Sequence, residues 1–307
     1  MVAVTRSHLL HLRRRALLQP EWDGILPPGR KRGLKTDRRS RIMDRCESIS
    51  TVQELIDEKH WDALSKDDSH LEKRLWYRCI YDQNGIGSCA AESAAAGKGA
   101  LDAGQNLRLI IYNPWGPYKI TSGGRDQGSN IGDNVEFLRD KGFPPEELHP
   151  RSLGWRASMS AEAVRVSKLF CILEFFYIEN IQQLVSALLQ GFCVHGGYSG
   201  HAVDFVQWLG NGKLLFCNSW HESWGDHGFG VLPVDKVYFS YGAYAYKNAL
   251  HYTDQDWKPK YNQETLALVV NDFMRKMSTV HQPWSDRYRN FRLDAYSESL
   301  QARGIAA

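Results

Sequence analysis

The chain has 307 residues, of which 43% are hydrophobic and 12% are aromatic. This composition predicts a packed globular core and argues against a disordered protein. The formal net charge is only +3, but residues 1–45 hold twelve Lys and Arg against four Asp and Glu, a local balance of +8. No run reaches the roughly 18 apolar residues of a membrane helix, and the N-terminus lacks the apolar core of a secretory signal. We therefore expect no membrane span and a cytoplasmic or other reducing location.

Residues 1–45 are predicted to form an extended basic arm, because the stretch "LPPGRKRG" does not favour regular structure. The charge of the arm suits contact with nucleic acid, an acidic protein partner or anionic lipid, and a merely solvated tail is the alternative. An ordered arm would need something to hold it, which would favour assembly into a larger particle.

A helical lead-in is predicted over residues 46–74. Thr51 and Glu54 have capping-box spacing at its start. Three apolar residues share one face of the predicted helix: Val52, Leu55 and Ile56. We interpret this helix as a packing element.

The main domain is predicted over residues 75–250. Its first half is typical of helices: one after Ser88, then "NIGDNVEFLRDKG" beginning at Ser129 or Asn130, then "NIQQLVSALLQG" ending at Gly191. Its second half is typical of strands, in "HAVDFVQWLG", "KLLFCNSW" and "FGVLPV". This order predicts an α+β fold with two lobes. Residues 251–307 are predicted to be a C-terminal extension with an amphipathic helix and an aromatic-rich tail.

Cys89 is placed where a glycine-rich turn gives way to an alanine-rich helix. A helix N-terminus has unpaired N–H groups and a partial positive charge, and both favour a thiolate. A nucleophilic thiol also needs a base and a group that orients the base. His201 and Asn218, far downstream, have this chemistry, and Gln83 has an amide that can donate to an oxyanion. Helix position alone leaves open whether Cys89 is a nucleophile or a small buried residue.

Three segments of the chain resemble papain-like cysteine peptidases. "YDQNGIGSCAA" resembles the catalytic segment of that family, whose pattern is Q-G-x-x-G-S-C-[WT]-A. "DQGSNIGDNVEFLRDKGFPPEELHP" resembles its substrate-lining loop and following helix, particularly in bacterial members. "GHAVDFVQWLGNGKLLFCNSWHESWGDHGFGVLPVDKV" resembles its histidine and asparagine segments. The resemblance runs from Tyr81 to Val237 and keeps the order Gln, Cys, His, Asn.

This resemblance implies a papain-like two-lobed α+β fold, in which a helical lobe is followed by an antiparallel, β-barrel-like lobe. It also implies thiol-dependent hydrolysis of peptide bonds in polypeptide substrates, with no metal and no cofactor. Cys89 would be the nucleophile and His201 the general acid and base. Asn218 would orient His201, and Gln83 would donate to the oxyanion.

The resemblance also implies supporting and substrate-binding residues. Trp220 would shield the hydrogen bond between the catalytic His and Asn from water, with Trp224 packed nearby. The substrate backbone and the main specificity pocket would be contacted by Gly128, Ser129, Asn130, Ile131 and Ala202.

The sequence departs from the family pattern at two places that concern the cleft. Ile86 stands where many members have a cysteine, so a disulfide beside the active site is absent, which fits a reducing compartment. Only nine residues separate Gly191 from His201, far fewer than in typical members. The cleft is therefore expected to be more open, or to be walled by the basic arm, the C-terminal extension or a partner.

Histidines and cysteines also cluster in the second half of the chain: His195, His201, His221, His227, Cys193 and Cys217. None of them has the spacing of a helical HExxH site or a CxxC knuckle, so no metal site is predicted. Asp204 and Asp226 nearby are interpreted as turn or surface groups.

Two functions are weighed. The first is a cysteine peptidase, favoured because all four catalytic residue types are present. The alternative is a papain-like domain that serves as a structural or assembly component, possibly of a virus or phage particle, with weak or no catalysis. The shortened cleft wall, the basic arm and the C-terminal extension favour the alternative. An open groove beside Cys89 and His201 would favour catalysis, and a groove filled by the chain's own residues would favour the structural role.

Overall fold

The structure is a computed structural model that describes most of the chain up to Tyr246. The described residues are 16–36, 45–51, 54–65, 73–77, 79–106, 110–172 and 175–246. The predicted C-terminal extension, with its helix and aromatic tail, lies outside them, as do the first fifteen residues of the arm. None of the helices within these ranges combines the length and the hydropathy that crossing a membrane requires.

Among the described residues, the α-helices precede the strands as the sequence predicts, except that a two-residue strand comes before the last helix. The α-helices of the described residues are α1 (Trp61–Leu64), α2 (Cys89–Asn106), α3 (Trp115–Thr121), α4 (Ile131–Asp140), α5 (Ala161–Ser167) and α6 (Ile181–Leu189). The strands are β1 (Phe176–Tyr177), β2 (Cys193–Tyr198), β3 (His201–Gly210), β4 (Lys213–Cys217), β5 (Phe229–Pro233) and β6 (Tyr244–Tyr246). Short 3-10 turns lie at Ile49–Thr51, Glu58–His60, Lys73–Trp76, Arg151–Leu153, Lys168–Phe170, Val234–Lys236 and Phe239–Tyr241.

The strands form one antiparallel sheet in the order β1-β6-β2-β3-β4-β5. Two tight hairpins build its centre. Ser199 and Gly200 connect β2 to β3, and Asn211 and Gly212 connect β3 to β4, each with positive φ. Two-residue turns with positive φ match the right-handed twist of the flanking strands, so they fix the register at His201, the first residue of β3.

Helix α2 packs against β3, β2 and α4 and forms the centre of the molecule. Its small side chains permit this close approach: Ala90, Ala94 and Ala95 are all buried. At Gly97 an added Cβ would lie 2.0 Å from the Tyr246 hydroxyl oxygen, so only glycine fits there. The helix that begins at Cys89 is therefore held between the two lobes, and the predicted α+β arrangement is confirmed.

Several sequence expectations are confirmed in detail. Asn130 is the N-cap of α4, with its side chain accepting from the Asp133 N–H at 2.8 Å. Helix α6 ends before Gly191, which has a positive φ, as the C-terminal glycine predicted. The strand expected in "HAVDFVQWLG" is β3 over its whole length.

The helix predicted from Thr51 is wrong at its start. The Thr51 hydroxyl donates back to the Ser48 carbonyl instead of capping the residues that follow. Ile56 lies in an irregular segment, because its N–H donates to Ser186 on α6 and its carbonyl accepts from the Trp61 indole. Tertiary hydrogen bonds thus replace helical ones at Ile56, and Val52 lies outside the described residues.

Strand β2 was not expected, because the sequence before His201 was interpreted as a short connection. Gly196 and Gly197 have low strand propensity, yet an added Cβ at Gly196 would lie 2.5 Å from the Phe205 ring. The nine residues after Gly191 therefore build a central strand and a hairpin, and they leave little chain for a cleft wall.

Candidate active site

Cys89 is the first residue of α2, and its thiol is fully buried. The backbone N–H groups of Ala202, Gly33 and Ala90 face the sulfur. Burial raises the pKa of the Cys89 thiol to about 11, although these N–H groups act in the opposite direction. In the observed conformation the thiol is therefore protonated at neutral pH.

His201 begins β3 and is also fully buried. Its Nε2 lies 2.7 Å from the Asn218 Oδ1, a contact that fixes the tautomer with the proton on Nε2. Burial lowers the pKa of His201 to about 4, while the bond to Asn218 partly offsets this. Within the described ranges, Nδ1 is buried without a hydrogen-bond partner, so it remains able to accept a proton.

Two tryptophans cover this pair. The Trp220 ring stacks on the His201 ring with a centroid distance of 4.4 Å, and Trp224 packs edge-on against Trp220 at 5.3 Å. Both positions agree with the supporting places that the sequence suggested. The stacking excludes water from one face of the imidazole and accounts for part of its burial.

Hydrogen bonds hold both the oxygen and the nitrogen of the Gln83 side-chain amide. Its Oε1 accepts hydrogen bonds from the Ser219 hydroxyl at 3.0 Å and the Trp220 indole at 3.2 Å, so the amide orientation is fixed. Its Nε2 donates to the carbonyl oxygens of Ile86 at 2.6 Å and Lys31 at 3.0 Å. The backbone N–H of Cys89, at the first position of α2, has no acceptor within the helix. A peptide carbonyl of the arm thus already occupies a position next to an oxyanion donor.

The inner arm, residues 22–35, lies in the cleft and covers this group. Near its start, the Trp22 N–H donates to the carbonyl of Val231 on β5 at 2.8 Å, and the Trp22 ring contacts Trp220 and His201 at 5.2 and 5.9 Å. Near its end, the Leu34 N–H donates to the Gly200 carbonyl at 3.1 Å. The arm is held by the chain itself, so its order gives no support to a larger particle.

Two of the five expected substrate-binding residues contact the inner arm. Ser129 forms two backbone hydrogen bonds with it, accepting from Lys35 at 3.1 Å and donating to Gly33 at 2.9 Å. An added Cβ at Gly128 would lie 2.0 Å from the Gly33 carbonyl oxygen. The arm therefore passes the cleft as an added strand, a common mode of peptide recognition.

Of the three remaining expected residues, one caps a helix and two lie in the hydrophobic core. Asn130 uses its side-chain oxygen as the N-cap of α4. Ile131 and Ala202 are fully buried in the core cluster that contains Cys89, and Leu34 packs against that cluster. The Leu34 side chain also reaches Gly197, where an added Cβ would lie 2.3 Å from its Cδ2. The short segment before His201 leaves one side of the cleft without a wall, and the arm covers that side. The arm was one of the three candidates for this wall, with the C-terminal extension and a partner.

Comparison with solved structures agrees with this architecture. Xylellain, a cysteine protease from Xylella fastidiosa, aligns with a TM-score of 0.53 and 20% identity over 73% of this chain and 99% of xylellain. A structure from work on the mite allergens Blo t 1 and Der p 1 aligns with a TM-score of 0.52 and 14% identity over 78% of this chain and 91% of that chain. The chain has the papain-like fold. No protein-family model matches it, and no curated protein matches it in sequence.

The papain-like fold of this chain also buries polar groups that the sequence did not place correctly. Asp204 was interpreted as a turn or surface group, but it lies on β3, fully buried, with the Tyr77 hydroxyl donating to it. Its burial next to α2 raises the pKa of its carboxyl well above the usual range. Asp226 is buried too and pairs with Arg74 at 2.5 Å.

The histidines and cysteines do not gather into a metal-binding group. Among the residues described, no set of three His, Cys, Asp or Glu side chains could hold a metal ion. His195 instead bonds to the Ser93 hydroxyl on α2, and His221 lies at the surface with a positive φ. The six cysteines, all within the described ranges, are free thiols.

Two residues of this site were missed by sequence reasoning. Trp22 and Lys31 both belong to the arm, which the charge pattern marked as a single basic segment. A signal was present, since the isolated Trp22 is the kind of large aromatic residue that usually packs against a surface.

Proposed function

We propose that the chain is a cysteine-type peptidase that its inner arm holds in a latent state. The observation that carries the proposal is the hydrogen bond from the Gln83 amide nitrogen to the Lys31 peptide carbonyl, while the N–H of Gly33, two residues further along the arm, faces the Cys89 thiol. Such a donor stabilises the charge that develops on a carbonyl oxygen during acyl transfer. Solved proteases that share the fold add support at the level of architecture.

Each residue of the candidate site has one role in the proposed reaction. Cys89 Sγ attacks the carbonyl carbon of a peptide bond, and the sulfur–carbon bond forms as His201 Nδ1 takes the thiol proton. The carbonyl oxygen becomes an oxyanion next to Gln83 Nε2. His201 then gives its proton to the leaving nitrogen as the carbon–nitrogen bond breaks. A water molecule hydrolyses the thioester, with His201 as the base.

The covered cleft also supports a second candidate function. A groove filled by the chain's own residues was the condition expected for a structural or assembly role without catalysis. The inner arm meets that condition, since the thiol and imidazole are both fully buried beneath it. Latency and permanent closure share this geometry, and they differ only in whether the arm can leave. The observation that favours the peptidase is the retained set of polar groups, because a permanently closed site has no need of an oriented imidazole and amide.

The deciding experiment compares the full-length protein with Gly33→Val under reducing conditions. An added Cβ at Gly33 would lie 2.0 Å from the Gly87 carbonyl oxygen, so the variant displaces the arm from above the thiol. An epoxysuccinyl probe should then label Cys89, and an unlabelled peptide pool should be hydrolysed. Both signals should disappear in Gly33→Val combined with Cys89→Ala.

The opposite outcome is equally specific. A folded Gly33→Val protein whose Cys89 is labelled but which cleaves no peptide supports the structural role and overturns the peptidase. If Gly33→Val does not fold, Arg30→Ala with Lys31→Ala removes the ionic contacts of the arm instead. The same two readouts then apply.

A further inference from the structure

Asp126 and the proposed oxyanion donor Gln83 bind the same residue of the arm, Lys31. Asp126 lies two residues before Gly128 and is half-buried. Its Oδ1 accepts from the Gly87 N–H at 2.8 Å and from the Tyr118 hydroxyl at 2.7 Å. Both donors belong to the peptidase domain and not to the arm. The carboxylate is therefore held in place whether or not the arm is present.

The other oxygen of Asp126 binds a basic side chain. Lys31 Nζ lies 2.7 Å from Oδ2 and 3.1 Å from the Asp126 carbonyl oxygen. Lys31 is also the residue whose own carbonyl oxygen accepts from Gln83 Nε2. One residue of the arm thus places its carbonyl at the oxyanion donor and its ammonium on Asp126.

We propose that Asp126 is a specificity-determining residue that selects peptides with Lys or Arg at the position whose carbonyl enters the oxyanion site. This inference rests on the proposed peptidase function and adds its substrate class. Once the arm leaves, Oδ2 loses the partner that neutralises it, while Oδ1 keeps its two donors. A charge-assisted hydrogen bond from a substrate ammonium or guanidinium restores that partner.

The contact between Lys31 and Asp126 also tethers the arm, and the experiment has to separate the two effects. Opening of the arm changes access for every ligand alike, whereas a specificity site changes the preference among ligands. The ratio of two labelling rates therefore cancels the opening equilibrium. We use two acyloxymethyl ketone probes for this ratio. They are identical except that one has lysine and the other norleucine next to the reactive ketone.

Labelling rates are measured on the full-length protein and on full-length Gly33→Val. We expect the lysine probe to react roughly fivefold faster than the norleucine probe. This ratio corresponds to the upper end of the stabilisation that a partly exposed ion pair contributes. Asp126→Asn should bring the ratio close to one. Asp82→Asn, which removes the Arg30 tether, and the exposed Asp235→Asn should leave it unchanged.

The outcomes are distinguishable. A ratio near one in the Gly33→Val protein, or an unchanged ratio in Asp126→Asn, overturns the specificity site, while Cys89 labelling together with peptide hydrolysis leaves the peptidase standing. Absence of Cys89 labelling by either probe in a folded Gly33→Val protein overturns the peptidase and the inference together. Loss of the ratio in Asp126→Asn alone supports the assignment.

Discussion

At the scale of single residues, burial controls the chemistry of Cys89 and His201. The thiol has a raised pKa and the imidazole a lowered one, so both are neutral in the covered cleft. A reactive ion pair of thiolate and imidazolium is disfavoured there, because each charged form would lose its water. In the proposed latent peptidase, the arm would therefore block the substrate and also keep the Cys89 thiol protonated.

The orientation of Gln83 leads to a prediction about catalysis. In the arm-displaced Gly33→Val background, Gln83→Ala should lower kcat by roughly 10²–10³-fold, the loss typical of one oxyanion donor. The amide acts on the transition state, so KM should change much less. Steady-state hydrolysis of a peptide substrate measures both constants. A loss confined to KM would contradict the oxyanion role.

Glu92 leads to a prediction about stability. This carboxyl lies one turn after Cys89, fully buried, and accepts from the Ser88 hydroxyl at 3.0 Å and the Trp115 indole at 2.8 Å. Burial raises the pKa of Glu92 from 4.5 to about 7, against the opposing charge of Arg151. Between these values the folded protein keeps a proton that the unfolded chain loses, so stability falls as pH rises through this window.

Glu92→Gln cannot titrate and should remove this dependence. The free energy of unfolding of the variant relative to the wild type should therefore grow between pH 4.5 and 7, by about 3 kcal/mol in total. Urea denaturation at pH 4.5, 6 and 8 measures the difference. The exposed Glu58→Gln is the matched control and should follow the wild type. A constant difference at all three pH values would show that Glu92 is ionised in the folded state.

At the scale of elements, Gly33 is the point where the arm lies nearest to the loop before α2. Only glycine fits between Gly87 and Gly128, because an added Cβ would meet the Gly87 carbonyl oxygen at 2.0 Å. Gly33→Val should therefore expose the buried Cys89 thiol and raise its labelling rate by roughly tenfold or more. Gly29→Asn is the matched control, since Gly29 has a positive φ that Asn tolerates and open space around it. Equal labelling of the two variants would contradict closure at Gly33.

The elements also show what sequence patterns can and cannot predict. Helices α2, α4 and α6 were predicted because caps and periodicity are local signals, as at Asn130. The lead-in failed because the Ile56 backbone bonds to Ser186, a partner far away in sequence that no local pattern contains. The candidate site residues came from the resemblance, by their type and order in the sequence. The arm across the cleft was not predicted, because its contacts join residues such as Gly33 and Ser129 that are distant in the chain.

At the scale of the whole molecule, charge favours the covered state over the proposed open state, in which the arm has left the cleft. The described arm is basic, and two carboxylates on the domain receive it: Asp82 pairs with Arg30, and Asp126 with Lys31. Both pairs are partly exposed. Burial would raise the pKa of each carboxyl, but the basic partner and backbone N–H donors outweigh it and lower the pKa. Both carboxylates are therefore charged at neutral pH, and the pairs favour the covered state.

Exposed ion pairs weaken as salt shortens the Debye length from about 10 Å at 0.1 M to about 3 Å at 1 M. Raising sodium chloride over this range at pH 7 should therefore increase the labelling rate of Cys89 in the wild-type protein severalfold, since each such pair contributes about 0.2–1 kcal/mol. The double variant Asp82→Asn with Asp126→Asn should label faster at low salt and respond little to added salt. A wild-type rate that is independent of salt, with the double variant unchanged, would mean that packing at Gly33, Leu34 and Trp22 holds the arm without help from charge.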